Sequence, residues 1–335
     1  MTKWTDFTVD ERKAMIQTVS ETKQIDEPSA EKDWWVTMTL KAIFQTECAA
    51  SLLFKGGTSL SKGWKLIQRF SEDIDLSIDH QYFRETVENN NQLKMLRKQC
   101  RRYVVDMLVG DIDCRMEAMG LSGYRIYPVV EQGGNKVSTD SDPTEIIIEY
   151  PSVIGAASDY VRPAVKVEIS CLSMKEPFEV KEITTLISDA FPRADRDTSA
   201  VIPIVLPSRT FLEKAFLLCE EFQKEAPRSL RMSRHLYDLE RLMDTEFGMQ
   251  ALADAELYKA IVEHRRKFYH VSYADYDKNY PDRIAFYPPE RSLKTWESDY
   301  KALQDAFVYG DKLPFRQLLL RIEELQRRFR EVDIK

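Results

Sequence analysis

The sequence predicts an α/β (α+β) domain on a mixed, mainly antiparallel sheet, followed by a mainly helical C-terminal domain. Three observations predict it. Between residues 121 and 187 the segments YRIYPVV, TEIIIEY, AVKVEIS and FEVKEITTLI read as strands. Residues 188–207 combine three prolines with charges and no period, the mark of a boundary. Beyond them apolar residues recur at helical spacing. At 335 residues the chain suits two domains of roughly 150 residues each, taken as 1–207 and 208–335.

In chain order, residues 9–22 and 31–46 read as helices, the second carrying Trp35, Met38 and Ala42 at helical spacing. Ser51–Phe54 is a short apolar run leading into Lys55-Gly56-Gly57-Thr58. Leu60, Trp64 and Ile67 then fall at i, i+4 and i+7, so a strand, a glycine turn and an amphipathic helix are expected. Polar and apolar residues alternate strictly from Asp73 to Ile78, the period of a half-buried strand. A basic helix follows, with Arg97, Lys98, Arg101 and Arg102 clustered, and the Gly133-Gly134 region is expected as a loop. In the C-terminal part, Thr210 and Glu213 have capping-box spacing before the stripe Phe211, Ala215, Leu218, Phe222. A second stripe runs Met232, Leu236, Leu239, Met243, and further helices are expected over 254–268, 292–308 and 314–331.

Composition removes several classes. No stretch approaches the roughly 18 apolar residues of a membrane span, and the N-terminus is too acidic for a signal peptide, so a cytoplasmic protein is expected. The five cysteines contain no CxxC pair and the four histidines no HExxH, against zinc or disulfide frameworks. With 48 Lys+Arg against 55 Asp+Glu the net charge is −7, so any nucleic-acid contact must use local basic patches. The 97–102 cluster and the run Arg265-Arg266-Lys267 are the candidates, and each is equally readable as an exposed helix face.

The chemistry concentrates on two strands. With Ile74, Leu76 and Ile78 on one face, Asp73, Asp75 and Ser77 share the other, the carboxylates about 6–7 Å apart. Val165–Ser170 repeats the alternation and puts Lys166, Glu168 and Ser170 opposite its core residues. If the strands are neighbours, Glu168 joins the aspartates. Carboxylates that close repel by about 2–3 kcal/mol per pair at an effective dielectric near 20. Bound Mg²⁺ or Mn²⁺ is the natural offset, since hard cations take oxygen ligands. Gly56 and Gly57, opening a helix at Thr58 and Ser59, suit an anion such as a triphosphate. An exposed acid pair or a simple glycine turn is common by itself; together they fit an NTP bound through a metal.

The segment KGGTSLSKGWKLIQRFSEDIDLSI resembles the signature of the AbiEii/AbiGii toxin family, a branch of the polymerase-β-like nucleotidyltransferases that takes in MenT-like toxins. Similar matches lie in Glu31-Lys32-Asp33-Trp34-Trp35, in Phe211–Lys214, in Arg231–Leu239 and in HRRKFYH at 264–270. Thr58 stands where the broader superfamily usually has Ser, and the run to the acid pair is longer. The resemblance implies a polymerase-β-like domain with the helical domain completing an NTP cleft. It implies metal binding by Asp73, Asp75 and Glu168, with Glu168 as ligand or general base. Lys214 would hold the triphosphate, and Asp238 would orient Lys214 or a metal-bound water, with Arg234 on the same face. By position alone Lys214 also reads as a snorkelling surface lysine, and the Arg231, Arg234, Asp238 face as solvated ion pairs. Lys62, Lys65 and Arg69 share one helical face by spacing, either as solubilising charge or, for Lys62 and Arg69, to neutralise phosphates. It further implies a toxin of a toxin–antitoxin (abortive infection, phage defence) system that moves NMP to the 3′ end of tRNA. The antitoxin would be of winged-helix type.

Other classes fit the residues less well. A carboxylate nuclease needs a lysine two residues beyond Glu168, where Ser170 stands, and has no use for the glycine turn. GGTSLSK lacks the GK[ST] ending of a kinase P-loop. A binding protein that sequesters a partner without catalysis, or transfer to a small molecule or protein, remains as an alternative.

Overall fold

The computed structural model describes residues 3–83, 87–155, 162–173, 176–269 and 271–334. The chain divides into two compact units, the first of residues 1–63 and 70–204, the second of residues 64–69 and 205–335. Among the described residues no helix is long and apolar enough to cross a membrane.

The first unit opens with α1 (Val9–Lys23), capped by Thr8 and Glu11, and α2 (Glu27–Ile43), capped by Asp26 with a proline in its first turn. Next come β1 (Leu52–Lys55) and α3 (Gly56–Thr58), continued by a π-helical turn over Ser59–Gly63. β2 (Asp73–Ile78) leads to α4 (Asn90–Tyr103) and α5 (Val109–Ala118). The rest is β3 (Arg125–Pro128), β4 (Glu131–Gln132), β5 (Asn135–Lys136), β6 (Thr144–Glu149), β7 (Ala164–Ser170), β8 (Phe178–Ile183), α6 (Leu186–Ala190) and β9 (Ala200–Val205).

Seven strands form one sheet in the order β3-β6-β7-β2-β1-β9-β8, with β4 and β5 a separate hairpin. β2 runs parallel to β7 and β1 to β9, whereas β1/β2, β3/β6 and β6/β7 are antiparallel, so the sheet is mixed as expected. Its core face carries Phe54, Ile74, Leu76, Val165, Val167, Ile146 and Ile204, all buried. Helix α2 packs on β2 and β7 and is buried almost all round. Trp34 donates its indole N–H to the buried Asp195, and Trp35 stacks on Tyr150 at 5.1 Å. Truncating either indole to alanine would cost about 3–5 kcal/mol.

The second unit holds α7 (Pro207–Glu221), α8 (Ser233–Leu242), α9 (Glu246–Ala253), α10 (Ala255–Phe268), α11 (Leu293–Ala306) and α12 (Phe315–Arg330). Phe211 and Phe286 pack on Phe329, and Phe216 on Tyr258, within its core.

Three expectations are corrected. The amphipathic helix expected from Thr58 through Ile67 stops at Gly63, because Lys65 takes a left-handed conformation (φ 56°). Trp64 instead donates to the Val205 carbonyl at 3.0 Å and packs edge-on against Phe247, inside the second unit. Residues 200–205, expected as irregular boundary, form β9 with Pro203 inside it. Thr210 does not cap α7, which begins at Pro207 in the first-turn position that suits proline, with Leu206 as N-cap. The Gly133-Gly134 region, expected as a loop, is one: it forms the turn of the β4–β5 hairpin.

Candidate active site

The parallel pairing of β2 with β7 sets Asp75 directly opposite Glu168 and Asp73 opposite Lys166. Antiparallel β1 puts Lys55 opposite Asp75 on the other side, and β6 puts Glu145 opposite Glu168. One row therefore crosses four strands on the face away from the core: Lys55, Asp75, Glu168, Glu145. The sequence alternation gave the face; the register comes from the structure.

The glycine turn meets this row. Gly56 has φ +80°, a conformation L-residues rarely adopt, and a Cβ built on it would lie 1.9 Å from Asp75 Oδ2. Only glycine lets the backbone corner and the carboxylate stand this close. Thr58, buried, directs its hydroxyl to the Asp73 carbonyl and to Ser71 Oγ (3.0 Å), and Ser59 donates to the Gly56 carbonyl at 2.9 Å. Thr58 thus ties the glycine turn to β2, and Ser59 closes the turn from within.

Helix α2 holds both parts from behind, which explains the EKDWW segment. Lys32 pairs with the buried Glu72 at 2.7 Å, immediately before Asp73. Asp33 accepts from Lys62 Nζ and from the Leu186 amide, tying down the turn that follows the glycines. Glu31 accepts from the Val153 amide at 2.8 Å, and burial first, against its hydrogen bonds, raises its pKa. Lys62, expected at phosphates, is thus placed in a buried pair and also reaches the Thr184 carbonyl.

Sequence reading gave Lys166 its face but no role. Its ammonium bridges Glu168, to which it donates, and Asp73 at 3.8 Å. Burial depresses the Lys166 pKa, but the Asp73 and Glu168 carboxylates outweigh burial and hold it above the ordinary value. Among the described residues no group of three or more acidic, histidine or cysteine side chains stands close enough to hold a metal. The donor set still suits a hard divalent cation: all oxygen, on one face of β2 and β7, with Asp73 and Glu168 side chains 22% and 26% exposed. Lys166 is the cation that pairs with Asp73 and Glu168 in this structure.

In the second unit Asp238, fully buried, takes two hydrogen bonds from Arg69 (2.7 and 2.8 Å) and pairs with Lys214 at 2.9 Å. Burial raises the Asp238 pKa, but Arg69 and Lys214 reverse that and hold it well below the carboxylate range. Lys214, on the buried side of α7, has its pKa lowered by burial, with Asp238 pulling it up and Arg69 and Arg234 pushing it down. His235 beside it is held neutral, chiefly by burial and then by Lys214 and Arg234. Neither Lys214 nor Asp238 is the solvated surface charge that position alone allowed.

The basic clusters divide. Arg101 is buried and donates to the Val129 carbonyl at 3.0 Å, and Arg265 is buried in a two-point pair with Glu220. Lys98, Arg102, Arg266 and Lys267 are exposed and Arg97 half-buried. His270, within the 264–270 match, lies outside the described residues.

The sequence profile of a family described as nucleotidyl transferase AbiEii toxin, of a type IV toxin–antitoxin system, matches residues 39–326. Among solved structures, MenT4, a nucleotidyltransferase toxin from Mycobacterium tuberculosis H37Rv, superposes with a TM-score of 0.50 at 14% identity. The match covers 95% of this chain and 90% of that one. At that identity the likeness is one of fold. No curated protein matches the chain.

Proposed function

The chain belongs to the AbiEii family of nucleotidyltransferase toxins, and from that premise we propose that it moves NMP from an NTP to the 3′ end of tRNA. Translation and growth stop as a result, in the service of phage defence. One observation carries this reading: Asp75 lies against the Gly56 corner and beside Glu168 in register. A backbone corner that accepts polyphosphate and a row of carboxylates thereby share one place.

The acceptor oxygen forms a bond to the α-phosphorus as the bond from that phosphorus to the β-phosphate oxygen breaks. Pyrophosphate leaves, and the hydroxyl proton passes to the Glu168 carboxylate. Asp73, Asp75 and Glu168 would hold Mg²⁺ or Mn²⁺, which when bound neutralises phosphate charge and orients the attacking and leaving oxygens. Gly56 and Gly57 admit the triphosphate to the backbone amides, braced by Thr58 and Ser59, while Lys62 keeps that turn in place through Asp33. Lys214, oriented by Asp238 and flanked by Arg69 and Arg234, gives the triphosphate a cation whose burial an anionic partner offsets. Lys98, Arg102, Arg266 and Lys267 have the exposure that RNA phosphates require. A cognate winged-helix antitoxin neutralises the activity.

Mass spectrometry of tRNA from cells arrested by the protein tests this. Added nucleotides at the 3′ end are expected, absent when Asp75→Asn is expressed at the same level. Unextended 3′ ends in arrested cells would refute it.

A further inference from the structure

The open face of the first unit's sheet carries a depression that no step above uses. It has a volume of about 470 Å³, within the roughly 300–1,000 Å³ of ligand sites. Leu53 and Ser77, paired in register, form its floor, and Pro203, Val201, Phe178 and Val180 form its wall. Phe54 and Ile204 pair on the core face, so Leu53 and Pro203 share the face of the acid row. Phe178, Val180 and Val201 are 49%, 59% and 67% exposed in the whole chain.

The position of this depression is what identifies its occupant. Along β2 the glycine corner lies at the Asp73 end, since Lys55 pairs with Asp75 and Gly56 follows Lys55. The depression lies at the opposite end, beginning at Ser77, two residues or about 7 Å beyond Asp75. In an in-line displacement the nucleophile arrives opposite the leaving group. With pyrophosphate leaving toward the glycines, the acceptor arrives from the Ser77 side. Lys55 stands at the junction, donating to Ser173 Oγ at 3.1 Å on the rim, a cation beside the path of an incoming phosphodiester.

We propose that this depression seats the terminal nucleotide of the RNA acceptor, its base against Phe178, Val180 and Val201 and its 3′ hydroxyl toward Asp75 and Glu168. An aromatic and aliphatic wall takes any base by stacking and contact, without reading its edges. The inference rests on the nucleotidyl-transfer reading and names where that reaction's acceptor binds.

Val201→Asp and Phe178→Asp place a charge on exposed side chains and leave the core intact. The apparent KM for tRNA is expected to rise tenfold or more in each, with the KM for NTP within twofold of wild type. An unchanged tRNA KM overturns the inference. A rise confined to the NTP KM also overturns it, by giving the depression to the incoming base. A tRNA ending in 4-thiouridine, irradiated with the wild-type protein without NTP, separates this from failure of the transfer reading. Crosslinks within 178–183 or 200–205 support the acceptor seat even if no transfer to RNA is found, and crosslinks confined elsewhere contradict it.

Discussion

Gly56 and Asp75 touch so closely that a single added methyl group would overlap the carboxylate, its carbon 1.9 Å from Oδ2. The contact joins the glycine corner to the acid row, and several consequences can be measured.

Gly56→Ala must relieve both the overlap and a positive φ. Strain of that kind costs about 1–3 kcal/mol, and displacement of Asp75 by an ångström costs about 100-fold in rate. Denaturant unfolding and a labelled-NTP transfer assay on the same preparation should show both losses. Transfer at the wild-type rate would mean that the corner plays no part.

Glu168→Gln removes a charge that stands opposite Asp75 and beside Glu145. Relief of that repulsion offsets the lost Lys166 pairing, so stability is expected within about 1 kcal/mol of wild type. Transfer should fall by about 10²–10⁴-fold, the usual contribution of a general base. Loss of folding together with activity would make Glu168 a structural residue.

Lys166→Met removes the cation that bridges Asp73 and Glu168. Divalent ions then enter without displacing it, and Mn²⁺ read by electron paramagnetic resonance should bind about tenfold more tightly. Weaker binding would show that Lys166 supports the ion instead of competing with it.

Asp238→Ala leaves Arg69 and Lys214 buried without their shared carboxylate, at a cost of about 3–5 kcal/mol. Because the folded pKa of Asp238 is depressed, the stability it gives is complete above the unfolded value of about 3.9 and drains as pH falls below it. Acid unfolding of Asp238→Asn should lack that part of the transition.

His235 acts at higher pH. Its folded pKa lies well below the unfolded value of about 6.5, so below that pH the unfolded chain binds one more proton than the native one. Stability therefore falls on acidification, by up to about 1.4 kcal/mol per pH unit. Urea titrations from pH 7.5 to 5.0 should show this slope in the wild type and a slope smaller by that amount in His235→Leu.

What the sequence made legible was local. Strict alternation in β2 and β7 fixed which residues share a face, and the glycine pair marked the turn. Registers of Asp75 with Glu168 and of Lys55 with Asp75 depend on which strands pair, which alternation cannot report. The helix through Ile67 was misread because Trp64 and Ile67 keep helical spacing while Trp64 is held by residues distant in sequence, Val205 and Phe247. Pro203 hid β9, since proline inside an apolar run argues against a strand unless tertiary pairing tolerates it. Arg101 and Arg265 looked like surface charge because a long aliphatic stem carries a guanidinium inward as readily as outward, once a carbonyl or carboxylate waits there.

The most direct test compares two radiolabels in one NTP. With total RNA and Mg²⁺, α-³²P should enter RNA while γ-³²P is released as pyrophosphate, and Asp75→Asn should do neither. Entry of the γ label into RNA, or undiminished α labelling by Asp75→Asn, would contradict the account.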